Sequence, residues 1–155
     1  MNRTNSLGFD KLTPVDDISG VLEDVFGLKL DVYGGWGYDN NSVLKVRNIN
    51  IPKKQFFHTF ASMRANIEMN LILDEDQRYG GINVSEIQNS ELKVDNKTYE
   101  VVKFKITAIK EKKYNDFIQE YKDNYGKDDF DIAKHFKDRE ENTIEINQDF
   151  WFIFE

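Results

Sequence analysis

The stretch Tyr99 to Lys110 constrains this chain more than any other. Val102, Phe104, Ile106 and Ala108 alternate with Lys103, Lys105 and Thr107, and a period of two places the two sets on opposite faces of a strand. One face of the sheet is therefore core and the other is wet. Glu91 to Val94 lies just upstream, and Asp95-Asn96-Lys97 between the two runs has the residue types of a hairpin turn.

The remaining elements must supply the cover for one face of that sheet. Thr13-Pro14-Val15-Asp16-Asp17 reads as a helix start, with Val15, Ile18, Leu22 and Val25 at helical spacing and Gly27 as the stop. Leu28, Leu30 and Val32 then alternate with Lys29, Asp31 and Tyr33, and Val43 to Ile49 reads as a second strand. Pro52 opens a helix with Phe56, Phe57, Phe60 and Met63 on one side. Ala65, Ile67, Met69, Leu71 and Leu73 alternate with Asn66, Glu68 and Asn70, so the period predicts a strand there. A helix carrying Tyr114, Phe117, Ile118, Tyr121 and Tyr125 ends at Gly126, and Asp128 or Asp129 is expected to cap a shorter one with Phe130, Ala133 and Phe136. Ile144 and Ile146 begin a closing strand that Phe150 to Phe154 continues or pairs with.

About four helices and about six strands without strict alternation predict an α+β fold, a single domain on a mostly antiparallel twisted sheet. Residues 1–8 read as a flexible N-terminal lead and 9–155 as the domain. A chain of 155 residues is long enough to build its own core. Apolar residues are only 39% of it, but 12 Phe, 7 Tyr and 2 Trp make that core aromatic.

Several function classes fall away on composition. There is no cysteine, which removes disulfides, thiolate metal sites and a Cys nucleophile. No apolar run is long enough to span a membrane, and the polar start lacks a secretory pattern, so a cytoplasmic location is expected. His58 and His135 stand alone without metal-ligand spacing. Asp74-Glu75-Asp76 starts like a calcium loop, but Arg78 and Tyr79 occupy its fifth and sixth positions. Gly34-Gly35-Trp36-Gly37 lacks the third glycine and the following helix of a dinucleotide loop. The segment to Asn41 reads instead as a tight turn with Trp36 and Tyr38 folded over a sheet edge, or else as an exposed aromatic binding loop. No metal or cofactor is expected. A serine-hydrolase elbow is missing, and nothing selects one pair among the 28 acids for carboxylate chemistry.

Charge then directs the functional expectation. The net charge is −7, with 7 acids against 3 bases in residues 1–40 and 13 against 7 in residues 111–155. Only Lys45, Arg47, Lys53, Lys54 and Arg64 offer a basic stretch, so nucleic acid is disfavoured as a partner. An acidic module that binds a basic protein is the expectation, for instance an immunity protein neutralising a nuclease-type toxin, or a phage-encoded inhibitor. The residues expected to meet such a partner are Trp36, Tyr38, Asp39, Asp74, Glu75, Asp76, Tyr79, Asp123, Asp128 and Asp129. Two alternatives accompany it: a virion or secretion-system component pairing through the C-terminal strand, and a small carboxylate enzyme.

Overall fold

The computed structural model describes residues 9–155, so the N-terminal lead read from residues 1–8 lies outside the described residues. Helix α1 (Ile18–Phe26) begins four residues later than the sequence suggests. Asp17 caps it by accepting a hydrogen bond from the Gly20 N–H at 3.0 Å. The Thr13 carbonyl is instead taken by the Trp36 indole N–H at 3.1 Å, which ties Thr13 and Pro14 down as irregular chain. Gly27, at φ 70°, ends the helix.

Strands β1 (Asp31–Gly34) and β2 (Leu44–Asn48) pair antiparallel. Helix α2 (Lys53–Asn66) follows and runs on into a π-helical turn, Ile67–Leu71. The strand expected from Ala65 to Leu73 is therefore not formed. Its residues are mostly good helix formers, and the alternation that suggests a strand has another origin. The turn is widened, as its Ile72 N–H to Ile67 carbonyl bond of 3.2 Å shows, and one extra residue per turn shifts the phase of the buried face. Ile67, Glu68 and Met69 are consequently all buried in succession.

Strand β3 (Tyr79–Val94) and β4 (Lys97–Lys110) form the long hairpin. Asp95 and Asn96 make its turn with φ of 51° and 65°, the left-handed pair of a two-residue hairpin loop. Helices α3 (Glu111–Asn124) and α4 (Ile132–Glu141) then lead into β5 (Thr143–Phe154), one continuous strand. The sheet order is β1-β2-β5-β4-β3, with β2 and β5 parallel and every other pair antiparallel. The result is an α+β single domain with five strands rather than about six.

The C-terminal strand lies between β2 and β4, with hydrogen-bonding neighbours on both sides. Its Phe152–Phe154 end pairs with β2 and the Trp151 N–H is taken by the Gly37 carbonyl, so the Phe150–Phe154 stretch is engaged within the sheet; the outermost strands are β1 and β3. Even-numbered residues of β4 and β5 face α2. Phe57 sits 4.7 Å from Phe152 between ring centroids, and Phe104 sits 5.4 Å from Phe150. Each such ring contributes roughly 1.5–3 kcal/mol by leaving water. Register places Tyr33, Lys45 and Ile153 side by side on the opposite face, with Val101 beside Trp151.

Candidate protein-docking surface

The ten sequence candidates fall in three places. Trp36, Tyr38 and Asp39 belong to the Gly35–Val43 connection between β1 and β2. There the turn reading holds, and the exposed-anchor reading of Trp36 does not: Trp36 is 4% exposed and its ring stacks on Phe60 at 6.5 Å. Gly37, at φ 88°, lets the connection press against β5, where its carbonyl accepts the Trp151 N–H at 2.8 Å. A Cβ at Gly37 would stand 3.1 Å from the Trp151 carbonyl oxygen. Burial works against the Asp39 carboxylate, but bonds from Ser42 and from the Asn41 N–H outweigh it and hold its pKa below the usual range.

Tyr38 covers a charge cluster that the sequence reading missed. Arg64 of α2 is fully buried, with its guanidinium 4.1 Å from the Tyr38 ring and 3.6 Å from the Phe150 ring. It donates to the Trp36 carbonyl at 3.1 Å and to Gln148 Oε1 at 3.0 Å. Its Nε lies 3.7 Å from Glu68 Oε2, and the Tyr38 hydroxyl donates to that same oxygen. Burial pushes the Glu68 pKa up, opposed by the Arg64 charge. The Tyr38 hydroxyl also accepts the Leu12 N–H at 2.9 Å. This cluster joins the N-terminal segment, the turn, α2 and β5, and every member is spent on holding the fold.

Asp74, Glu75 and Asp76 are exposed, the last two in a short 3₁₀ turn before β3. Tyr79 beside them is 6% exposed and packs edge-on against Phe9 at 5.3 Å, so it is core and no contact residue. Of the basic stretch, Arg64 is interior, Lys53 and Lys54 pair with Glu100 and Glu86 at 2.9 and 3.3 Å, and Lys45 and Arg47 lie over the Tyr33 ring. These side chains are dispersed and do not make one patch.

Asp123, Asp128 and Asp129 have a different setting. They lie at the far end of the α3–α4 hairpin, about 20 Å from its root given 1.5 Å of rise per residue over the 14 residues of α3. The hairpin is rooted where Tyr114 lies over Gly80 and Gly81 of β3; a Cβ at Gly81 would come within 2.7 Å of the Tyr114 ring. Its capping residue is Asp131, not Asp128 or Asp129: the Asp131 side chain accepts the Lys134 N–H at 3.0 Å. Between the two helices His135 is buried among Phe117, Tyr121, Phe130 and Phe136, with ring centroids 5.1–5.9 Å away. Its Nδ1 bonds Glu120 Oε1 at 2.6 Å. The hairpin has a small aromatic core of its own.

The hairpin also leaves large apolar side chains uncovered, Phe136 of that core among them. Tyr125 is 69% exposed, Phe136 48% and Ile132 44%. Tyr121 links the first two, its ring 5.3 Å from Tyr125 and 6.1 Å from Phe136. From Asp116 to Asp131 the chain carries six acids and two bases, and Asp123, Asp128, Asp129 and Asp131 are all exposed. Tyr125 was legible as an aromatic at helical spacing, but that spacing pointed it to the core.

Comparison with known protein families, curated sequences and solved structures finds no match to this chain. The side chains alone carry the functional argument. Among the described residues no cluster of His, Cys, Asp and Glu has the arrangement of a metal site, and no helix is long and apolar enough to cross a membrane. Glu68, the carboxyl with a raised pKa, is paired with Arg64 rather than with a second carboxyl, so it does not resemble a general-acid pair.

Proposed function

We propose that this chain is an acidic protein-binding module, an inhibitor of the immunity-protein or phage type, that docks a basic protein through the α3–α4 hairpin. The observation that carries this reading is the exposed set Tyr125, Ile132 and Phe136 bordered by Asp123, Asp128, Asp129 and Asp131. Aromatic anchors at the centre of a contact and charges at its rim are the anatomy of a specific interface. The rim charges steer a partner of opposite sign and reject one of like sign. A nuclease-type toxin, basic because it holds phosphate, fits that sign.

The test is capture from the host's lysate at moderate salt, with the whole chain and with a Tyr125→Ala/Ile132→Ala variant, which leaves the aromatic set around His135 intact. One stoichiometric basic protein retained by the first and lost by the second is the expected result, with an association rate that falls as salt rises. Capture unaffected by the double substitution, or an association rate independent of salt, would remove the reading. The assembly alternative moves from the C-terminal strand to β3, an edge strand that exposes Ile87 and Leu92. Concentration-dependent oligomers abolished by charges on β3 would favour it.

A further inference from the structure

Strand β3 is outermost in the sheet, and among the described residues no strand pairs with its outer side. An irregularity between Glu86 and Gln88 interrupts its pairing with β4, but from Gln88 to Val94 the register is regular. The pairing of β4 with β5 stops at Glu100, so the end of the β3–β4 hairpin runs on past the rest of the sheet. We infer that two copies of this chain join antiparallel along this stretch, Leu92 meeting Leu92 on the two-fold axis and Glu91 of each copy lying opposite Lys93 of the other. The inference goes beyond the acidic docking surface and uses none of its residues.

The free backbone groups set the register. Val94 and Lys97 flank the Asp95-Asn96 loop, and a two-residue loop is closed by a hydrogen-bonded pair. Such pairs alternate along an antiparallel ladder, so Val94, Leu92 and Ser90 turn their N–H and C=O groups toward β4. Those of Lys93, Glu91 and Asn89 turn outward. An axis at Leu92 sets the outward groups of Glu91 against those of Lys93 in the other copy, and the reverse. An axis lying between two residues would set outward groups against inward ones.

Charge then selects among the axes that remain. An axis at Glu91 opposes two glutamates and one at Lys93 opposes two lysines, and like charges directly opposite destabilise a sheet. An axis at Ser90 carries the seam into the irregularity at Glu86–Gln88. The Leu92 axis pairs opposite charges on both sides and stays within the regular stretch. It also brings together two Leu92 side chains, each 44% exposed in the single copy, at a position without hydrogen bonds, where facing side chains come closest.

The chain also leaves a demand unmet at this place. Glu91 stands opposite Glu100 of β4, a like-charge pair, and Glu100 already has Lys53 at 2.9 Å. Neither Glu91 nor Lys93 has an ion-pair partner among the described residues. Lys93 of a second copy supplies the cation that Glu91 lacks. Lysine on an edge strand deters pairing with other strands, and here the chain's own Glu91 cancels that deterrent.

Sedimentation equilibrium of the full chain from about 10 μM to about 1 mM tests the inference, a range suited to a seam well below the standard interface size. A monomer–dimer equilibrium is expected. Glu91→Lys alone, or Lys93→Glu alone, makes both pairs repulsive and should weaken the dimer about tenfold. An equimolar mixture of the two variants sets cations against anions again and should dimerise as the unmodified chain does. Both positions are exposed, and melting curves check that each variant is folded. A chain monomeric throughout, a dimer that the single variants leave unchanged, or a mixture that fails to associate would each overturn the inference. So would a dimer lost in Tyr125→Ala/Ile132→Ala and kept in Glu91→Lys, since self-association would then run through the α3–α4 hairpin.

Discussion

Arg64 and Gln148 are 84 residues apart in sequence and share a hydrogen bond of 3.0 Å that links α2 to β5. Gln148 shares a face of β5 with Ile146 and Phe150, and its side-chain oxygen accepts from the buried Arg64 guanidinium. Removing one side of a buried ionic cluster leaves the other side charged and unpaired, which costs about 3–5 kcal/mol. Arg64→Met is therefore expected to lower the thermal midpoint by roughly 10 °C, on a scale of about 2–4 °C per kcal/mol for a chain of this size. Arg64→Met combined with Glu68→Leu should recover much of that loss, because no charge is then left in the interior. Denaturant midpoints of the two variants decide it, and a double variant less stable than the single one would contradict the account.

Glu68 makes the same cluster sensitive to pH, with a definite sign. Its folded pKa is raised by burial, so between the unfolded value near 4.3 and the folded value the native state binds more protons than the unfolded chain. The Glu68 contribution is thus fully present below the unfolded pKa and is lost as pH rises through the folded one. Asp39, whose pKa is lowered, works in the opposite direction, so the comparison must isolate Glu68. The stability of the unmodified chain minus that of Glu68→Gln should fall as pH is raised from about 4 and then level off. A difference that grows with pH would show the Arg64 charge outweighing burial.

That cluster also explains where sequence reading stopped. Tyr99 to Lys110 was legible because each residue type matches its face, and Asp95-Asn96 was legible because only a few residues tolerate left-handed backbone. Gln148, between Asn147 and Asp149, interrupts the apolar alternation of β5 and makes one strand look like two. Its reason is Arg64, and long-range pairing leaves no trace in periodicity. Most of β3, from Tyr79 to Ser90, was hidden for another cause: as an edge strand it is rich in Asn, Ser and Gln and buries little beyond Tyr79 and Val84. Of the proposed docking surface, the charges Asp123, Asp128 and Asp129 were visible. The exposure of Tyr125 was not, since α3 and α4 pack on each other around His135.

The hairpin turn offers a gain rather than a loss. Asn96 sits at φ 65°, a conformation an L-residue adopts at some cost and glycine does not resist. Asn96→Gly converts the turn to the preferred Asp-Gly pair and is expected to raise stability by about 0.5 kcal/mol, after the extra freedom glycine gives the unfolded chain. Asn96→Val, branched at Cβ, should lower it by more than the glycine adds. Unfolding midpoints for the two substitutions on the same chain measure the turn directly.

Trp36 and Tyr125 make the sharpest contrast, since each is a large aromatic in a connection or at a helix end and only Tyr125 is exposed, as the proposed docking role requires. Trp36 stacks on Phe60 and ties down Thr13 through its indole N–H; truncating such a buried ring costs about 3–5 kcal/mol. Tyr125 rests on Tyr121 and is otherwise in water, where substitutions usually stay within about 0.5 kcal/mol. Trp36→Ala should therefore lower the thermal midpoint by roughly 10 °C and weaken partner capture only as far as the fold is lost, so that capture recovers on cooling. Tyr125→Ala should melt with the unmodified chain and lose capture at every temperature. Melting curves and binding run on the same two samples separate the residues, and a Tyr125→Ala chain that melts early would make the hairpin tip part of the core instead of a docking surface.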